Sequence, residues 1–159
     1  MDNITLDRID LEILRLLQRD AWMSGKQIAL ALNKGNSTIT RKIEKLKATG
    51  FLLGSVAIVD HIKISEVLIV FVHLQLTKHN TNALDEFQDT VIPFEEVVEC
   101  YQMTGTFDFL LKIVVPNMSS YQRFLKEKMA QVPNLGSLQS HFVIHETKRV
   151  LGYPIQGRR

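Results

Sequence analysis

The hydrophobic pattern of this chain changes near residue 67, and the change limits the folds that the chain can adopt. Up to about residue 49, apolar side chains recur at the spacing of amphipathic helices. From residue 67 onward, stretches that alternate apolar and polar residues, as strands do, are separated by further helical stretches. Two periods within 159 residues predict two small domains with separate cores.

The N-terminal region begins with a helix and a second, shorter helix. The first is predicted over residues 7–20, where Asp7 and Asp10 suit the N-terminus because carboxylates there meet unpaired backbone amides. The second is predicted to begin at Ser24, whose spacing from Gln27 is that of a capping box. Both helices therefore have local start signals.

A third helix, predicted from about residue 36 to 49, has the features of a helix that reads DNA. Residues 34–47 hold five bases and one acid, and the face opposite the apolar stripe presents hydroxyl side chains followed by Arg and Lys. Hydroxyls bond phosphates or base edges, Arg can bond guanine twice, and Lys neutralises phosphate. The order of helix, short helix, turn and helix predicts a helix-turn-helix. The candidate DNA contacts are Ser37, Thr38, Arg41, Lys42, Lys45 and Lys47. A three-helix bundle that binds nothing, or that docks on protein, stays open as an alternative.

Residues 51–59 alternate loosely and predict a strand that leaves the helices, with Gly54 as a bend. Residues 61–66 read as a linker. The domain boundaries expected from the sequence are a helix-turn-helix domain at 1–52, a strand and linker at 53–66, a sheet domain at 67–149 and a C-terminal tail at 150–159.

The sheet domain shows the order β-α-β-β-α-β. Its strands are predicted over residues 67–76, 97–103, 107–115 and 138–145, and its first helix over residues 81–91. Its second helix is expected to open at Ser119, which has capping-box spacing to Gln122. This order predicts a ferredoxin-like antiparallel sheet with both helices on one face, and an α+β chain overall.

One face of that sheet is left uncovered by helices. Ile69, Phe71, Leu110 and Val114 are apolar, and some of them must lie on the uncovered face, where exposure to water is unfavourable. A second copy of the chain would cover them, so we expect an obligate homodimer. Two helix-turn-helix domains would then read two half-sites.

Several other classes of protein find no support in the sequence. No stretch has the roughly 20 apolar residues of a membrane helix, and the N-terminus does not resemble a signal peptide. Cys100 is the only cysteine, which precludes an internal disulfide and fits a cytoplasmic location. The sequence has no glycine-rich phosphate loop. It also lacks metal-ligand spacing, since His141 and His145 would lie about 13 Å apart along one strand. We therefore expect no enzyme, no metal and no cofactor.

Six segments together resemble the Lrp/AsnC family, the leucine-responsive or feast/famine transcriptional regulators. They are LDRIDLEIL at 6–14, RKIEKL at 41–46 with GFL at 50–52, VVECYQMTGTFDFLLK at 97–112, PNMSSY at 116–121 and YPI at 153–155. The segment at 97–112 is the most specific, and the resemblance covers nearly the whole chain. It implies a winged helix-turn-helix domain followed by a ferredoxin-like sensor and dimerisation domain.

The resemblance also implies a small-molecule effector, an amino acid or related metabolite, bound where dimers meet in assemblies such as octamers. In the family that pocket lies near a glycine loop between the second and third sheet strands. Gly105 lets backbone amides approach a carboxylate, and Asp108 can accept from an ammonium group. The residues carried over are Thr104, Gly105, Thr106, Phe107 and Asp108, and more weakly Met118, Gln139, Ser140 and His141. The alternative is that Gly105 only makes a turn and Asp108 only caps the loop.

Two departures from the family pattern concern the turn and the linker. Lys34, Gly35 and Asn36 stand where the family usually has an apolar residue, Ser and Pro, while Asp60 and His61 replace Asp-Pro. The expected function is a sequence-specific DNA-binding regulator that responds to a metabolite. The changes at the turn keep a second interpretation open, a metabolite-binding oligomeric sensor or interaction protein with weak or lost DNA binding.

Overall fold

The computed structural model describes residues 5–150 and 152–156, with the backbone alone at residue 62. These residues form two compact units. One comprises Met1–Ile58 with Lys148–Arg159 and is called the helical unit; the other, Val59–Thr147, is called the sheet unit. The chain thus leaves the helical unit once and returns to it with its C-terminal tail, which the sequence did not indicate.

The helical unit contains the expected arrangement of helices, α1 (Arg8–Arg19), α2 (Gly25–Ala31) and α3 (Asn36–Ala48). Asp7 and Asp10 cap α1 reciprocally, because the side chain of each residue accepts a hydrogen bond from the backbone amide of the other residue. Ser24 and Gln27 do the same for α2, which confirms the predicted capping box. Gly50 follows α3 with φ +74°, a conformation that glycine adopts without steric cost.

The core of the helical unit forms where the apolar stripes of the helices meet. Ile13, Ile28 and Ile39, one from each helix, have no exposed surface, and Leu46 joins them. Ile155, from the C-terminal tail, packs against the same cluster. Burial of these stripes supplies the main driving force for the unit.

The strand predicted over residues 51–59 is wrong for this structure. The segment has no strand pairing within the described part of the chain, and Leu53 is 94% exposed. A strand needs a neighbour for its backbone hydrogen bonds, and no described residue supplies one here. A short helix, α4 (His61–Ile64), lies where a linker was expected.

The sheet unit has the predicted β-α-β-β-α-β order. Its elements are β1 (Leu68–Leu76), α5 (Thr81–Val91), β2 (Val97–Gln102), β3 (Phe109–Val115), α6 (Met118–Glu127), a 3-10 turn (Met129–Gln131) and β4 (Leu135–Phe142). The strands lie in the order β2-β3-β1-β4, and every neighbouring pair is antiparallel. This is the ferredoxin-like arrangement.

Two local predictions in the sheet unit are wrong. The cap of α6 is Asn117, whose side chain accepts from the Ser120 amide, so Ser119 already lies inside the helix. Strand β4 begins and ends three residues earlier than expected, because Asn134 adopts φ +60° and reverses the chain immediately before Leu135.

The two faces of the sheet differ as expected. On the helix-covered face, Val70, Val72 and Leu74 are fully buried, and the rings of Phe87 and Phe109 stack at 4.4 Å. The side chains of Ile69, Phe71, Leu110 and Val114 alternate with the buried positions and are half-buried on the other face, called the open face. No helix among the described residues is long and apolar enough to span a membrane.

Candidate DNA-binding and effector-binding sites

Helix α3 presents a polar, basic surface opposite its buried stripe. Ser37, Arg41, Lys45 and Lys47 are exposed, and Thr38 is half-buried at the N-terminal end. In the part of the chain that the structure describes, none of these three basic side chains forms an ion pair. Their charges are therefore available to an anionic partner.

Lys42, also among the predicted DNA contacts, lies apart from this exposed surface. Its ammonium group donates to Asp10 Oδ1 at 2.8 Å and to Asp7 Oδ2, and only 18% of the side chain is exposed. Burial alone would lower the pKa of Lys42, but the hydrogen bonds to Asp10 and Asp7 outweigh it and raise the pKa. Lys42 therefore joins α3 to α1 and is occupied inside the unit.

The turn before α3 keeps its shape despite the unusual residues. Gly35 is the N-cap and supplies no side-chain hydrogen bond, yet the helix begins at Asn36. The backbone amide of Lys34 donates to the Ala29 carbonyl at 2.9 Å, while the Lys34 side chain is exposed. Backbone bonding thus holds this turn without an apolar anchor.

The loop between β2 and β3 is open at its tip. Thr104, Gly105 and Thr106 are exposed, and Gly105 has φ +105° with no atom within 4 Å of the position that a Cβ would take. The Met103 amide donates to the Asp108 carbonyl at 2.8 Å and closes the loop. Glycine adopts this backbone conformation without the strain that a side chain would add.

Asp108 has a structural task at the base of this loop. Its carboxylate accepts from the Leu76 amide at 2.8 Å through Oδ2 and lies 3.0 Å from His79 Nδ1 through Oδ1. The Asp108 amide donates to the Leu74 carbonyl, so the residue fastens the loop to the end of β1. This geometry matches the alternative in which Asp108 orders the loop.

Aromatic side chains continue from the loop across the open face. The His73 ring lies 4.9 Å from Phe107 and 5.1 Å from His141, and Gln139 pairs with His73 in the strand register. His73 Nδ1 is buried and has no hydrogen-bond partner among the described residues. The sequence did not identify His73, because only the register of β1 against β4 brings it to His141.

Two of the weaker effector candidates lie elsewhere in the sheet unit. Ser140 faces the helices, where its hydroxyl and that of Tyr121 are 2.6 Å apart. Met118 follows the far end of β3, which at about 3.3 Å per residue lies roughly 20 Å from the loop. Within one chain, the structure therefore joins only Gln139 and His141 to the loop residues.

Metal-ligating side chains and the single cysteine are further candidate parts of a site. No group of three or more His, Cys, Asp or Glu side chains in the described ranges is placed to hold a metal ion. Cys100 is half-buried, and burial raises the pKa of its thiol.

Comparison with known proteins assigns both units to families. Residues 6–52 match the winged helix-turn-helix DNA-binding family, and residues 69–151 match the Lrp/AsnC ligand-binding domain. A DNA-binding helix-turn-helix joined to a ligand-binding domain defines the class of transcriptional regulators that respond to small molecules.

Full-length relatives identify the family within that class. The leucine-responsive regulatory protein of Escherichia coli (strain K12) is 31% identical over 144 residues, which cover 91% of this chain and 88% of that protein. An AsnC family transcriptional regulator from Agrobacterium tumefaciens superposes with a TM-score of 0.87 at 32% identity, covering 94% of this chain and 97% of that one. The chain therefore belongs to the Lrp/AsnC family of transcriptional regulators.

A more distant structure shares the fold. A transcriptional regulator from Neisseria meningitidis, solved as a complex with L-Met, has a TM-score of 0.86 at 23% identity and covers 94% of this chain and 97% of that one.

Proposed function

We propose that this regulator binds operator DNA as a homodimer through α3, and that an amino acid or related metabolite bound at the 104–107 loop changes that binding. The observation that carries the proposal is the unpaired basic surface of α3, with Arg41 and Lys45 exposed while Lys42 is held inside the unit. Unpaired positive charges on the recognition helix of a family member can bind the phosphates of DNA.

The residues on that surface have different tasks. The hydroxyls of Ser37 and Thr38 lie at the N-terminal end of α3, where side chains reach base edges or the nearest phosphate. Arg41 is placed one turn further on and can bond a guanine edge or a phosphate. Lys45 and Lys47 lie in the last turn and neutralise backbone charge.

The open face of the sheet supports the homodimer. Ile69, Phe71, Leu110 and Val114 are only half-buried in a single chain, and burying them against a second copy is favourable. A symmetric dimer would present two α3 helices to a pseudo-palindromic operator. Assembly of dimers into octamers, in the cytoplasm, completes the proposal.

The loop chemistry supports an amino-acid effector. Residues 104–106 are exposed, so their backbone amides would suit a carboxylate, and Phe107, Gln139 and His141 offer side chains on the adjoining open face. Asp108 orders the loop in this proposal. The L-Met bound by the Neisseria meningitidis regulator supports the class of ligand. Effector binding would change DNA affinity by a coupling of about 1–3 kcal/mol.

Fluorescence anisotropy tests the proposal with the purified protein and DNA from upstream of its own gene, over a salt series, with and without a mixture of the twenty amino acids. Specific binding that weakens with salt and changes with the mixture supports both parts. Arg41→Ala should weaken binding by about 1–3 kcal/mol. Lys126→Ala, which removes an exposed charge from α6, is the control.

Other outcomes separate the two functions. DNA binding that no amino acid changes would reject the proposed effector. Unchanged DNA binding by Arg41→Ala would reject the face of α3 assigned to DNA. A protein that binds amino acids but no DNA at low salt would favour the metabolite-binding interpretation.

A further inference from the structure

The C-terminal tail occupies a place that neither family match explains. The matched ranges end at residues 52 and 151, and the tail segment Gly152–Gln156 follows both of them. The structure nevertheless places this segment in the helical unit, beside α1. The segment is called the strap below.

Arg15 of α1 holds the backbone of the strap. Its Nε and one terminal nitrogen donate to the same Ile155 carbonyl, at 3.2 and 2.9 Å. The other terminal nitrogen donates to Glu12 Oε1 at 2.6 Å, which fixes the plane of the guanidinium group. A guanidinium with two nitrogens on one carbonyl is a directional contact that a lysine amine cannot reproduce.

Apolar packing and backbone stiffness support the same contact. The Ile155 side chain is half-buried against the core of the helical unit. At Gly152, an added Cβ would lie 3.1 Å from Gln18 Cδ, so the strap approaches α1 closely at its other end as well. Pro154 fixes its own φ and favours an extended Tyr153, which lowers the entropy lost when the strap docks.

Helix α1 connects this contact to the recognition helix. About one and a half turns before Arg15, the same helix carries Asp10, which accepts the hydrogen bond from Lys42 of α3. The strap, α1 and α3 are thus joined in sequence by side-chain bonds inside one unit.

We propose that the strap is a fixed part of the DNA-binding unit, that Arg15 is the positioning residue that holds it, and that the sheet unit is consequently tied to the helical unit at both of its ends. The chain between Val59 and Thr147 is then a long insertion in the helical unit. This inference requires neither DNA nor an effector, so it goes beyond the function proposed above.

Methyl NMR of the full chain with labelled isoleucine tests the strap directly. The Ile155 signal, assigned with Ile155→Val, should report a restricted methyl shifted by its packing. Arg15→Met keeps the alkyl stem but removes the guanidinium, and should return the Ile155 signal to the position and mobility of a free isoleucine. Arg8→Met, which removes an exposed arginine from the first turn of the same helix, is the matched control and should leave the signal unchanged.

A mobile Ile155 methyl in the unmodified chain would overturn the docking of the strap. A methyl that stays restricted in Arg15→Met would overturn the role of Arg15. If Arg15→Met does not fold, Arg15→Lys replaces it, since lysine retains the charge but not the paired donors. Arg15→Lys should give an Ile155 methyl of intermediate mobility. An unchanged signal would again reject the proposal. Truncation after Arg149 should lower the urea midpoint of the helical transition, and an unchanged midpoint would show that the strap is not part of the unit.

Discussion

The ammonium group of Lys42 on the recognition helix donates a hydrogen bond of 2.8 Å to the carboxylate of Asp10 on α1, whose side chain is only 4% exposed. A buried carboxylate without its cation is costly, because neither water nor another positive charge compensates it. The pair therefore fixes the angle at which α1 supports α3 and has a structural role.

Lys42→Met should destabilise the protein by about 3 kcal/mol, the typical cost of removing one partner from a buried ion pair. Lys45→Met, three residues further along the same helix, removes an exposed charge and should change stability by less than about 0.5 kcal/mol. Urea unfolding followed by circular dichroism measures both. DNA affinity should show the opposite order. Lys45→Met should bind DNA more weakly, whereas folded Lys42→Met should bind it about as tightly as the unmodified protein.

The two lysines are matched in charge and helix, so a general loss of positive charge cannot produce opposite effects. If Lys42→Met retained full stability but lost DNA binding, Lys42 would contact DNA after all, as the sequence pattern suggested.

Acid should weaken the helical unit through Asp7. The hydrogen bond from Lys42 holds the pKa of Asp7 below its usual value of 3.8, despite partial burial that raises it. Because the folded-state pKa is depressed, the stabilisation is complete above pH 3.8 and is lost as the pH falls through the lower folded value. Urea titrations from pH 7 to 3 should therefore show a loss concentrated below pH 4.

Asp7→Asn is the control for this pH dependence, since asparagine also caps helices but does not titrate. The difference in stability between the two proteins should shrink as the pH falls below 3.8. A constant difference across that range would show that Asp7 gains nothing from Lys42. Glu96 also has a lowered pKa, because the hydrogen bond from Lys128 outweighs the burial that would raise it. Its contribution is the same in both proteins and cancels in the comparison.

Gly105→Ala should impair both stability and effector binding. Its φ of +105° costs an alanine roughly 1–3 kcal/mol in backbone strain. An added Cβ meets no atom within 4 Å, so the effect must come from the backbone and not from a clash. Calorimetric titration with amino acids and urea unfolding would measure the two losses.

Gly54→Ala is the matched variant, because that glycine has open space around it and no positive φ. It should leave stability unchanged or raise it by about 0.4–1 kcal/mol. Normal stability in Gly105→Ala would mean that the loop relaxes to another conformation, and normal ligand affinity as well would move the effector site away from this loop.

The elements that the sequence predicted well are those with local causes. Helix α5 begins and ends at the predicted residues because Asn80 caps it and its apolar spacing is regular. The capping box at Ser24 involves residues three apart and needs no tertiary information. The order of elements then fixed the sheet topology, since few arrangements satisfy β-α-β-β-α-β.

The failures involve partners that lie far away in the sequence. Lys42 resembles any surface lysine until the fold brings Asp10, 32 residues earlier, beside it. Residues 51–59 have a strand-like pattern, but a pattern cannot supply the neighbouring strand. The register of β4 against β1 likewise depends on residues far apart in the sequence, and it decides which side chains of β4 lie on each face.

Ser140 shows that effect, and it supplies a last test of the effector site. Its hydroxyl is paired with Tyr121 at 2.6 Å on the helix-covered face, while neighbouring Gln139 lies on the open face beside His73. Ser140→Ala should therefore cost about 1 kcal/mol, the typical value of a hydrogen bond, and leave effector affinity unchanged.

Gln139→Ala should do the reverse, lowering effector affinity with little change in stability, because its side chain is exposed. Tyr121→Phe should reproduce the stability loss of Ser140→Ala, and the double variant should lose little more, since each removes the same bond. Calorimetric titration with amino acids measures the affinities of the four variants, and urea unfolding measures their stabilities. An affinity loss in Ser140→Ala equal to that in Gln139→Ala would mean that the effector reaches both faces of β4, which the register of this sheet does not allow.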